Sequence, residues 1–226
     1  MKRVMKVVLV LVGLSVFTSL CAASADAPST TPAAPTNDKI YYCIEGYETL
    51  LPGDYYACRA RYYFQRDHNQ LAMSMLEEAS YWANKDAQYA LGLIYFNGDI
   101  TDIPANRPLA LAWFALSAER KDADHEQAYA AARAQSSHRD IQTSEQLLQK
   151  MKLKYGDKVA GVRAMRRFNH EILPLEQATS GGSIYLNGYS PYPENADAVV
   201  TRLHTQADKD FQGLIGTVTV GALEVK

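Results

Sequence analysis

The sequence has no excess of positive charge. Its 23 Lys and Arg stand against 25 Asp and Glu, a formal charge of −2. Wrapping nucleic acid requires clustered positive charge, so nucleic acid is excluded as a partner. Cysteine is scarce, three in 226 residues, and no two have Cys-x-x-Cys spacing, which argues against a thiol–disulfide catalyst. Complete catalytic or metal motifs are missing too. His170-Glu171 opens like His-Glu-x-x-His, but Pro174 stands where the second His is required, and a zinc site needs both on one helical face. His68, His125, His138 and His204 follow no ligand spacing. Gly188-Tyr189-Ser190-Pro191-Tyr192 lacks the closing Gly of a nucleophile elbow. Ser180-Gly181-Gly182-Ser183 has no following Lys-Ser/Thr and reads as a turn. Glu77 and Glu78 are adjacent, so a helix points them in different directions. These absences set the expectation of a protein that is not an enzyme, with no catalytic residue, metal or cofactor.

Long hydrophobic runs are also lacking. Lys2, Arg3 and Lys6 precede an apolar stretch from Val7 to Phe17, followed by small residues. That stretch is short for a membrane span and has the layout of a secretory signal. Ala23-Ser24-Ala25 fits the cleavage pattern, giving a signal peptide over 1–25 and a mature start at Asp26. A lipidated Cys21 is the rival, disfavoured because Leu20 precedes it. Cleavage removes three positive charges, moving the formal charge from −2 to −5. It leaves Cys43 and Cys58, and an even pair in an exported chain predicts a disulfide. The expected location is periplasmic or secreted, with no transmembrane segment in the mature form.

Residues 26–39 are rich in Pro, Thr and Ala and read as a flexible linker. Helical spacing then predicts helices over 55–66, 70–84, 87–97, 107–120 and 125–135. Asn106 reads as an N-cap with Pro108 in the first turn, and Gly98 as a helix stop. Thr143 and Gln146 have capping-box spacing, and Asp157 is placed to cap the helix through Ile172. The helical domain is drawn as 40–173 and a small α/β extension as 174–226. Within the extension, strands at Ser180–Tyr192 and Gly216–Lys226 flank a helix.

The segments Leu71–Ala87 and Leu109–His125 align with a constant offset: Ala72 on Ala110, Met75 on Trp113, Leu76 on Phe114, Ser80 on Ala118. A constant period of this size signals stacked helical hairpins. The run Ala87-x-Tyr89-x-Leu91-Gly92-x-x-Tyr95-x-x-Gly98, then Ala110-x-x-Trp113-Phe114-x-x-Ser117-Ala118, resembles the Sel-one-like repeat family, relatives of tetratricopeptide arrays. The resemblance covers about half of the mature chain. It implies a mostly α fold, a short α/α solenoid, and non-catalytic binding of an envelope protein or peptide. Gly92 is then expected to admit Trp113 or Phe114 closely.

In such repeats the A helices line a groove. Helical phase puts Tyr89, Leu93 and Phe96 opposite Leu91 and Tyr95, and Arg61 and Phe64 correspond in the first unit. These residues bind a partner or else pack on the neighbouring A helix. A basic stretch, Lys150, Lys152, Lys154, Lys158, Arg163, Arg166 and Arg167, is either a solvated outer face or a second surface for an anionic partner (acidic protein, lipid headgroup or cell-wall polymer), the last giving the alternative of a cell-wall-associated structural protein. Cysteine-rich relatives of the family suggest an alternative, β-lactam hydrolysis. They carry a Cys pair in each hairpin, whereas this chain has one mature pair and no Ser-x-x-Lys.

Overall fold

The order of elements follows from local signals along the chain. In the computed structural model, residues 42–178 and 181–214 are described. The leader and linker assigned above lie outside them. Helices α1 (Tyr47–Leu50), α2 (Pro52–Phe64), α3 (Asn69–Tyr81), α4 (Lys85–Asn97) and α5 (Arg107–Ser117) come first, the last extended by a 3₁₀ turn. Then follow α6 (Ala123–Ala134), α7 (His138–Tyr155), α8 (Ala160–Gln177), strands β1 (Ser183–Ile184) and β2 (Glu194–Asn195), and α9 (Ala196–Asp210).

Caps explain several of these boundaries. The side chains of Asn84, Asn106 and Asp122 accept from backbone N–H groups at the starts of α4, α5 and α6. Gly98 ends α4 with φ of 64°, a left-handed conformation natural to glycine. Two expected caps are corrected. Ser137, not Thr143, starts α7, and Thr143 donates to the Arg139 carbonyl inside that helix. Asp157 makes no cap for α8; it pairs with Arg120 and Lys85 instead.

Packing joins α2 to α3 and α4 to α5 as hairpins, with Leu91, Ile94, Trp113 and Leu116 in a shared core. Leu148, Met151 and Tyr155 of α7 pack against it. Gly92 has the expected reason: a Cβ there would lie 2.7 Å from the Phe114 ring. A Cys43–Cys58 disulfide, with Cα atoms 5.7 Å apart, ties the segment before α1 to α2.

The end of the chain departs from a stack of neighbours. Phe168 and Ile172 of α8 and Val199, Val200 and Leu203 of α9 form a second core with Leu50 and Leu51. In a simple array each unit touches only its neighbours, whereas here α8 packs on α1. Helix α8 runs through Pro174, so the boundary drawn between 173 and 174 falls inside it. Pro174 is exposed, while Ile172 and Leu175 anchor the helix in the second core. Strands β1 and β2 pair antiparallel, Ser183 with Asn195 and Ile184 with Glu194, and both precede α9. The strand expected at 216–226 lies outside the described residues.

Candidate functional site

Three clefts meet at Asp86, in the first turn of α4. The first, about 430 Å³, is bounded by the start of α2, the α3–α4 turn, Arg120 and the end of α9. The second, about 280 Å³, includes Tyr47, Tyr55 and Arg61. The third, about 680 Å³, lies between α4 and α6 and includes Tyr89 and His125. Together they follow the N-terminal parts of α2, α4 and α6.

Behind the first cleft is a junction of buried charge. Lys85 Nζ donates to the Leu116 carbonyl at 2.7 Å and lies 3.1 Å from both Glu119 and Asp157. Arg120 grips both oxygens of Asp157, at 3.1 and 3.0 Å, and donates to the Ala83 and Asp210 carbonyls. Burial lowers the Lys85 pKa, opposed by Asp157 and Glu119. Removing one member strands the others away from water, at a cost of about 3–5 kcal/mol.

Asp54 and Asp210 bring two carboxyls to the cleft wall. Gln206 Nε2 donates to both, each at 2.9 Å, and Asn84 donates to Asp54 at 3.1 Å. Burial, then the charge of Asp54, pushes Asp210 up to about 8; burial raises Asp54 as well. These residues are 156 positions apart in sequence, from 54 to 210, and no spacing rule connects them.

The residues selected from sequence divide between lining and packing. Tyr89 lines the third cleft, half-buried, its ring 5.7 Å from Phe114 and stacked 5.0 Å from His125. Leu93 is 38% exposed. Phe96 packs 6.1 Å from Phe114 beneath the Arg107 guanidinium. Arg61 lines the second cleft, and Phe64 packs against the α2–α5 core. Phe64 and Phe96 thus pack inside, Phe96 on α5 of its own hairpin, whereas Tyr89 and Arg61 line clefts and Leu93 is exposed.

The basic stretch is partly internal. Arg163 donates to the Tyr81 carbonyl and lies 3.5 Å over the Tyr81 ring. Arg167 donates to the Thr49 carbonyl at 3.0 Å and pairs with Glu171 at 3.5 Å. Arg166 is exposed. Arg163 and Arg167 clasp α8 to α3 and to α1, work that a charge pattern alone does not reveal.

Among the described residues, no His, Cys, Asp and Glu side chains group so as to hold a metal ion. None of the described helices is long and apolar enough to cross a membrane. No protein-family model, curated protein or solved structure matches the chain.

Proposed function

We propose that this chain is an exported, non-catalytic helical scaffold of the Sel-one-like type that binds another protein of the cell envelope. The supporting observation is the run of clefts over α2, α4 and α6, in which Tyr89 and Arg61 take part. The Cys43–Cys58 disulfide is compatible with an oxidising compartment. Leu93, exposed on α4 beside this run, is the position at which to test it. A photo-reactive side chain at Leu93 should capture one abundant envelope protein in cells, and Tyr89→Glu should abolish that capture. Failure to capture any protein from Leu93 or Arg61 argues against the scaffold.

One observation favours a second reading, an envelope hydrolase. Two carboxyls bridged by Gln206 on a cleft wall, both raised by burial, suit general acid–base chemistry. Turnover of a chromogenic β-lactam that disappears in Asp54→Asn and Asp210→Asn would carry that reading. Turnover by neither wild type nor variants would leave the pair a structural device.

A further inference from the structure

The groove between α4 and α6 has one sign of charge. Its lining includes Asp86, Asp122 and Asp124 and no Lys or Arg. Asp122 is committed to capping α6, accepting from the backbone N–H groups of Asp124 and His125. The positive ends of α4 and α6 favour acids in these first turns, which accounts for part of the cluster. Yet the Asp86 side chain is 89% exposed, so its charge faces whatever enters.

His125 supplies the independent observation. It lines the groove, is only 9% exposed, and its Nδ1 has no hydrogen-bond partner. Nε2 lies 3.7 Å from Asp86 Oδ1, and Nδ1 lies 3.9 Å from Asp122 Oδ1. Both separations exceed hydrogen-bond length. Nδ1 is shut off from solvent, so Nε2 and the Asp86 carboxylate are the pair that an incoming side chain can reach. An N–H donor placed between them satisfies both. Lysine offers three donors on a point charge and arginine five in a planar fork. Tyr89, stacked on the imidazole, adds an aromatic wall suited to the apolar stem of either side chain.

We infer that this groove receives a basic segment of the partner protein, its Lys or Arg side chains seated among Asp86, Asp122, Asp124 and His125. The inference rests on the scaffold reading and names the chemistry of what the scaffold binds. Because the groove is open, the attraction is screened by salt.

The test uses the purified full chain and fluorescently labelled degenerate peptide pools of about twelve residues. One pool fixes Lys or Arg at alternate positions, one fixes Glu there, and one fixes Ser. The variant is D86N/D122N/D124N; Asn caps a helix as well as Asp, and thermal melts check that its fold is retained. The basic pool should bind alone, weaken about tenfold or more in the variant, and weaken again as NaCl is raised. Equal binding of the Ser or Glu pool, or a basic pool insensitive to the variant, overturns the inference. So does binding by no pool, or occupation of the groove by a second copy of the chain in sedimentation. Capture at Leu93 is a separate measurement, so a scaffold with a non-basic partner is distinguishable from no scaffold.

Discussion

The α4–α5 hairpin and the α1–α8–α9 closure are both built on buried apolar residues, yet they differ in how their partners are found. In the hairpin, Gly92 meets Phe114, and Tyr89 and Phe96 meet the same ring. These partners sit within one hairpin, and the loop between its two helices brings them together. In the closure, Leu50 and Leu51 share a core with Phe168 and Leu203, across most of the described chain. Local pattern organises the first, and long-range chain return organises the second. Between them lies the charged junction of Lys85, Arg120 and Asp157, which joins the hairpin ends to the turn before α8.

The comparison is broken most forcefully by opening each core in turn. Phe114→Ala should cost about 3–5 kcal/mol and Leu203→Ala about 2–5 kcal/mol, measured by urea denaturation. If the junction couples the two cores, each variant unfolds in a single transition by fluorescence and circular dichroism alike. A separate early transition in Leu203→Ala alone would show that the closure melts independently of the hairpins.

Changing pH addresses the closure from its polar side. Asp210 is raised in the fold from its ordinary value of 3.8 to about 8, first by burial and then by Asp54. Its contribution is fully present below about pH 4 and is lost as pH rises through about 8, because the folded state must then ionise a buried acid. Stability should fall by several kcal/mol across that window. Asp210→Asn should flatten the dependence, read from melting temperatures between pH 4 and 9. An unchanged slope in that variant would assign the dependence to other groups.

The smallest effect is local to the hairpin. Asn106→Ala removes a side-chain acceptor from the Leu109 N–H and should cost about 1 kcal/mol, without altering the pH profile. A loss several times larger would mean that the α4–α5 connection does more than start a helix.

Much of the hairpin was legible because helix signals are local. Asn106, Pro108 and Gly98 mark helix ends, and the three- and four-residue spacing marks buried faces. The misplaced signals were local too. Thr143 with Gln146 imitates a cap, but Ser137 had already begun the helix. Pro174 suggested an end, but the second core holds α8 together past it. Of the groove residues, Tyr89 and Leu93 follow from helical phase. Asp86 and His125 do not, since their meaning depends on α4 and α6 lying side by side.

The sequence by itself determined a mostly helical chain, the pair of cysteines available for bonding, and the close approach at Gly92. Periodicity, caps and small residues act over a few turns, and neighbouring positions suffice to express them. Only the tertiary structure decided that α8 and α9 return to α1, that Arg163 and Arg167 are clasps, and that Gln206 brings Asp54 and Asp210 together. Each of these depends on groups far apart in the chain meeting away from water, where burial and mutual charge set their chemistry.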